Sequence, residues 1–155
     1  MSPPRAYVAL EIAAPIDRVW TAMIEMHRYP EWNPFVTRVD GVGPAPRVGQ
    51  PMVLHVRWSN GLTLRSPEQI ARIEPPSRGA DGVERASLEY VFRGPLDRWG
   101  LVRGARLQTV TRLDEGRTRY ESEERFTGLL ARWVPLASVQ DGFERHARAL
   151  ARRVE

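Results

Sequence analysis

The clearest hydrophobic pattern in the chain lies at its C-terminal end. There Val139, Phe143, His146, Ala147, Leu150 and Val154 recur at the spacing of one helical face. Asp141, Glu144, Arg145, Arg148 and Arg152 take the other face, and the pairs Asp141–Arg145 and Glu144–Arg148 have the i,i+4 spacing of a solvated surface. Pro135 or Ser138 marks the start, Ser138 as a capping hydroxyl with Asp141 in the first turn. Gly142 is out of place in such a helix, where glycine costs about 1 kcal/mol against alanine. It predicts a close approach to another backbone, or a portal. A second stripe, Ile16, Val19, Trp20, Met23 and Ile24, predicts a helix directly after Pro15, with Asp17 in the first turn where negative charge suits the helix dipole. A short helical or turn segment from 27 to 33 closes at Pro34.

The rest of the chain alternates with a period of two and predicts strands at 7–12, 35–39, 52–58, 62–73, 86–93, 102–113 and 117–127. Pro67 marks its strand as an edge or a bulge. The Pro- and Gly-rich stretches 41–51 and 75–82 read as loops. The last two strands are joined by Asp114, Glu115 and Gly116, a three-residue hairpin loop with a positive φ expected at the glycine. With Leu113 opposite Arg117, Arg106 lies opposite Glu124, Gln108 opposite Ser122, and Val110 opposite Tyr120. Arg119, Glu121, Glu123 and Arg125 share one face of the final strand, and four successive charges there belong in water. Tyr120, Ser122, Glu124 and Phe126 therefore look inward.

Composition removes several classes of function. The 155 residues contain no cysteine, which rules out disulfides and thiolate metal sites, and only three scattered histidines. There is no metal-ligand cluster, phosphate-binding glycine loop or nucleophile–histidine–carboxylate order, so no metal and no cofactor are expected. All 23 basic residues are arginine, and they are spread along the chain with a net charge of only +4, which argues against nucleic-acid binding. Residues 1–15 have neither the pattern of a secretory signal nor the length of a membrane span. A cytoplasmic protein without membrane insertion is expected. No repeat or composition shift divides the chain, which reads as one domain over residues 1–155.

The order strand, helix, short helix, six strands, long helix, together with Tyr29-Pro30-Glu31-Trp32-Asn33-Pro34-Phe35, resembles the SRPBCC or START-like superfamily. Ala14-Pro15-Ile16-Asp17-Arg18-Val19-Trp20 is similar to its opening strand-to-helix signature. Phe126-Thr127-Gly128-Leu129-Leu130 with Gly142-Phe143 is similar to its final strand and helix. The resemblance implies an α+β helix-grip fold: a curved antiparallel sheet of about seven strands wrapped around the long C-terminal helix, with two short helices after the first strand. It also implies a small hydrophobic ligand, lipid- or polyketide-like, enclosed between sheet and helix. The superfamily hosts enzymes, carriers and sensors on one scaffold, so a cyclase or dehydratase working by acid–base chemistry and a non-catalytic carrier or sensor both stand as readings. Relatives commonly carry a histidine at the place of Arg106 and an asparagine near that of His146, and this chain departs from them there.

On the strand register, Arg106, Gln108, Ser122 and Glu124 form an inward polar patch bordered by Tyr90, Tyr120 and Phe126, the usual form of a small-molecule site. The alternative is a buried Arg106–Glu124 ion pair that only fixes register. In the catalytic reading Arg106 stabilises an enolate oxygen and Glu124 or His146 moves the proton. His146, on the apolar face between Phe143 and Leu150, otherwise serves as a hydrogen-bonded core residue. Trp32, Phe35 and Trp58 are candidates to line or gate the cavity, with Phe143 on its helical wall; Trp99 and Trp133 fall in connecting segments, where they cover the cavity or meet a second subunit of a homodimer. His55 reads as a solvent-face residue.

Overall fold

The computed structural model describes residues 2–155. One antiparallel sheet holds seven strands, β1 (Arg5–Ile12), β2 (Val36–Asp40), β3 (Pro51–Arg57), β4 (Thr63–Arg78), β5 (Glu84–Phe92), β6 (Arg103–Asp114) and β7 (Arg117–Thr127), in the order β1-β7-β6-β5-β4-β3-β2. Helix α1 (Ile16–Ile24) and a 3₁₀ segment (Met26–Glu31) follow β1; the single turn α2 (Pro95–Arg98) precedes β6; α3 (Leu136–Val154) ends the chain. The sheet curls around α3 in the helix-grip α+β arrangement. No described helix is long and apolar enough to cross a membrane.

Both main helices form where their apolar stripes meet this sheet. Ile16, Val19, Trp20 and Met23 of α1 are buried, as are Val139, Phe143, His146, Ala147, Leu150 and Val154 of α3. Pro135 is the residue that starts α3, and Ser138 makes no cap. Asp141 bonds Arg145 at 2.9 Å, and the same guanidinium donates to the carbonyls of Pro34 and Arg57, tying the helix to both ends of the β2–β3 region. Glu144 accepts from Gln140 instead of pairing with Arg148. Gln140 also covers the sheet edge: its amide accepts the Tyr7 N–H at 2.9 Å and donates to the Tyr7 carbonyl at 2.7 Å, satisfying backbone groups that an edge strand otherwise leaves open.

The register of the final hairpin agrees with the expectation over the residues that matter: Arg106 opposes Glu124, Gln108 opposes Ser122 and Val110 opposes Tyr120. The turn differs. Leu113 falls in a bulge and Asp114 opposes Arg117, leaving Glu115 and Gly116 as the tip. Asp114 Oδ1 accepts the Gly116 N–H at 2.9 Å, and Gly116 is not among the glycines with positive φ. An Asx turn thus does what a left-handed glycine was expected to do. Strand β4 corrects two further readings. It lies inside the sheet, and Pro67 is tolerated because the β4–β5 ladder begins one residue later, at Glu68–Phe92. Pro75 and Pro76 belong to the strand and not to a loop, sitting where the ladder skips from Glu74–Ser87 to Ser77–Arg85.

Gly142 is explained by a side chain, not by a backbone or a portal. The Phe35 ring lies flat where a Cβ at position 142 would project, and Phe35 in turn packs against Phe143 and Trp58 at ring-centroid distances of 6.1 and 5.9 Å. Gly142→Ala gains helix propensity but drives a methyl group into that ring. The expected net effect in denaturant unfolding is a loss of about 1–3 kcal/mol; a stabilised variant would show that the ring yields freely.

Candidate functional site

A cavity of about 360 Å³ lies between the inner face of the sheet and the first half of α3, within the range of roughly 300–1,000 Å³ typical of small-molecule sites. Its walls are mainly apolar: Phe35, Leu54, Val56 and Trp58 on one side, Phe92, Phe126, Val139 and Phe143 on the other, with Leu64, Leu96, Val102, Leu130 and Trp133 towards the mouth. Tyr90, Arg106, Glu124, Glu68 and Ser66 supply polar groups. Of the residues singled out from sequence, Phe35, Trp58, Tyr90, Arg106, Glu124, Phe126, Trp133 and Phe143 therefore line this cavity.

The others do not reach it. Gln108, Tyr120 and Ser122 are fully buried beneath the cavity and form a supporting network. Tyr120 donates to Gln108 Oε1 at 2.6 Å, Gln108 reaches the Tyr90 hydroxyl at 3.5 Å, and Arg106 donates through Nη1 to the same hydroxyl at 3.0 Å and through Nε to Ser122 Oγ at 2.9 Å. Trp32 packs edge-on against Tyr29 and His146 at 5.1 and 5.6 Å, on the side of the molecule facing α1 and the end of α3. It does not gate this cavity. His55 pairs with Asp40 on the outer face at 2.7 Å.

His146 is fully buried behind Arg106 and is not exposed to the cavity. Asn33 determines its state. The Asn33 Oδ1 accepts the backbone N–H groups of Phe35 and Val36, both at 3.0 Å, so its Nδ2 is the atom 3.1 Å from His146 Nδ1 and must donate. Arg106 Nη2 donates to the same nitrogen at 3.4 Å. Nδ1 is therefore the acceptor and Nε2 carries the hydrogen, a tautomer assigned from the network. Burial holds the imidazole well below its ordinary pKa, and the Arg106 charge adds to the effect. Its only lone pair is engaged, so His146 serves as a hydrogen-bonded core residue and is removed from the role of general base. The buried Nε2–H has no hydrogen-bond partner.

Arg106 and Glu124 are opposite in the ladder, yet they form no ion pair, so the reading in which that pair fixes register is set aside. The guanidinium lies over the Phe143 ring, 4.1 Å from its centroid, among neutral partners. The Glu124 carboxylate turns instead over Gly104, into the space that a Cβ there would occupy. Burial raises its pKa to about 7, against the pull of Arg106. A second carboxyl was missed in the sequence. Glu68 is buried, accepts only from Ser66 Oγ at 2.7 Å, and is raised by burial to about 8 although that hydrogen bond lowers it. Its signal was the inward phase of β4, in which Leu64, Ser66 and Glu68 lie opposite Val56, Leu54 and Met52 of β3. Among the described residues neither carboxyl has a cation within ion-pair distance. Two acids with raised pKa values thus share an apolar cavity with a fixed guanidinium, the arrangement that suits proton transfer near neutral pH.

Residues 4–155 match the family model described as polyketide cyclase/dehydrase and lipid transport. No curated protein matches. Among solved structures, a hypothetical protein from Helicobacter pylori is similar with a TM-score of 0.72 at 11% identity, covering 99% of this chain and 89% of that one. A START superfamily protein from Mycobacterium smegmatis gives 0.67 at 15% identity, with coverage of 97% and 96%. A point mutant of norcoclaurine synthase from Thalictrum flavum, in complex with a transition-state analogue, gives 0.65 at 16% identity, with coverage of 97% and 92%. At these identities the likeness is one of fold.

The raised carboxyls make stability depend on pH in a defined direction. Protons bind Glu68 and Glu124 more tightly in the folded state, so their contribution is complete below the ordinary value of 4.5 and is lost as pH rises through about 7 and about 8. His146 acts oppositely, but only below its ordinary 6.5, where the unfolded chain takes up the proton. Thermal unfolding midpoints are therefore expected to fall from pH 6.5 to pH 8.5, a range set about the two raised values. Glu68→Gln should flatten that fall. An unchanged slope in this variant would place the Glu68 carboxyl in water.

Proposed function

The chain belongs to the polyketide cyclase/dehydrase and lipid transport family, and on that premise we propose that it binds an apolar, polyketide-like molecule in the cavity and closes a ring in it by acid–base chemistry. The observation that carries this reading is the pair of carboxyls without ion-pair partners, with pKa values of about 7 and about 8, beside a guanidinium that cannot lose its proton. In this reading Glu124, which faces Arg106 across the β6–β7 ladder, is the base, and Glu68, whose carboxyl is held by Ser66 Oγ, is the acid.

In the proposed step, Glu124 takes a proton from a carbon between two carbonyl groups. The electron pair moves to an oxygen, where the charge is met by Arg106. Three of the guanidinium's N–H groups are used by Ser122, Tyr90 and His146, which leaves one on each terminal nitrogen for the oxyanion. The Tyr90 hydroxyl, which accepts from Arg106, keeps its own hydrogen for the same oxygen. The enolate carbon bonds to a second carbonyl carbon, and the alkoxide formed there takes the proton of Glu68. Loss of water from the resulting alcohol follows: Glu68, now a carboxylate, takes the second proton from the carbon between the carbonyl groups while Glu124 returns its proton to the departing hydroxyl, which forms the carbon–carbon double bond and restores both carboxyls without any change in oxidation state.

A second reading, a carrier of lipid or another hydrophobic metabolite, is favoured by the predominance of carbon on the cavity walls and the apolar mouth. The two separate on one set of variants. With a synthetic poly-β-ketone thioester as substrate, Glu124→Gln is expected to lower turnover by about 10²–10⁴-fold while binding persists. Arg106→Met is expected to impair both. Wild-type protein that binds the compound and returns it unchanged, as read by mass spectrometry, would favour the carrier.

A further inference from the structure

The cavity mouth is bordered by three segments, residues 57–65 between and including the ends of β3 and β4, residues 93–103 around α2, and residues 127–135 after β7. The last two are tied by backbone hydrogen bonds, Leu129 to the Gly100 carbonyl and Leu130 to that of Leu101. Among the described residues, seven of the nine large apolar side chains left exposed belong to these segments. Leu129 is 80% exposed, Trp99 74%, Trp133 69% and Leu62 64%, and Leu64, Leu96 and Leu130 continue inward to the cavity wall. Soluble domains seldom gather so much exposed apolar surface in one place without using it.

The same segments carry six exposed arginines, Arg57, Arg65, Arg93, Arg98, Arg103 and Arg132, against a single carboxylate, Asp97. Asp97 lies 3.6 Å from Arg93 and 3.9 Å from Arg103, and Arg132 lies over the Trp133 ring at 5.3 Å. We propose that this rim is a docking surface for an anionic lipid bilayer, with the cavity opening onto the membrane. Tryptophan and leucine side chains projecting beside arginines match the interfacial zone of a bilayer, where the ring or chain sits among the acyl carbons and the guanidinium among the headgroup phosphates. Charge complementarity selects the occupant. A second copy placed rim to rim would bring two sets of arginines together, which like-charge repulsion opposes. The apolar tips come from three segments around an opening, and a fluid surface can meet all of them at once. This surface does not depend on whether the enclosed molecule is turned over.

The test is co-sedimentation of the full chain with vesicles of phosphatidylcholine alone and of phosphatidylcholine mixed with phosphatidylglycerol. Binding is expected to the mixed vesicles, weakening as salt is added. The double variant Trp99→Ser/Leu129→Ser, which leaves the cavity walls untouched, should reduce partitioning by about tenfold. Arg98→Ser/Arg132→Ser should remove the preference for anionic vesicles, and it decides the question if the first variant fails to fold. Failure to sediment with mixed vesicles, equal sedimentation with both vesicle types, or binding unchanged in both variants would overturn the proposal. So would a dimer on gel filtration that either variant dissolves, since the rim would then join two copies, or capture of an acidic protein in place of vesicles. Binding of a poly-β-ketone probe without vesicles reports on the cavity alone, so failure of the docking surface and failure of the catalytic reading are told apart.

Discussion

A guanidinium buried under an apolar cavity, with no carboxylate close enough to pair with it, is the constraint around which this molecule is organised. Arg106 is only 2% exposed. Removing a charge from water without compensation is among the most costly events in folding, so its surroundings have to supply dipoles in fixed directions. They do so from three parts of the chain: Ser122 on β7, Tyr90 on β5, and His146 on α3, with the face of Phe143 beneath. Each donor bond limits how far its element can move. The sheet and α3 are thus held at a spacing that leaves the cavity between them.

The imidazole of His146 shows how far this constraint reaches. To accept from Arg106 it must present a bare Nδ1, and Asn33 enforces this by presenting its own amide hydrogens to the same atom. Asn33 can do so only because the backbone N–H groups of Phe35 and Val36 occupy its oxygen. The conformation of residues 33–36, which leads into the first residue of β2, therefore sets the tautomer of a histidine on the last helix. Burial and then the Arg106 charge depress the pKa of that histidine, and protonating it would also turn an acceptor into a donor facing two donors. The lone buried Nε2–H is the residual cost of this arrangement.

Much of the fold was legible because alternation and helical periodicity are properties of consecutive residues. Four successive outward charges on β7 were enough to assign both faces of the hairpin, and the opposition of Arg106 to Glu124 followed from a single turn. Opposition of Cα atoms does not determine where long side chains end, however. Glu124 turned towards the vacancy over Gly104, and Arg106 towards neutral partners, two residues that the ladder alone would have paired. Glu68 escaped notice because Pro67 beside it obscured the phase of β4, and His146 was placed on the correct helical face without its depth. Asn33 was unreadable for a plainer reason: its partners lie 2 and 3 residues away on one side and 113 on the other.

The choice of arginine follows from the same physics. A buried lysine escapes the cost of its charge by releasing a proton, and pKa values several units below normal are the usual result. Arginine has no such route under ordinary conditions, so Arg106 stays positive however dry its surroundings. A permanent positive charge acts on the half-buried Glu124 as well, since the guanidinium pulls down the pKa that desolvation pushes up. Glu68 is likewise raised by burial, and the Ser66 hydrogen bond and Arg106 lower it only in part while Glu124 adds to the rise. Burial raises both carboxyls, and the one charge that cannot be switched off draws each of them back towards the ionised form.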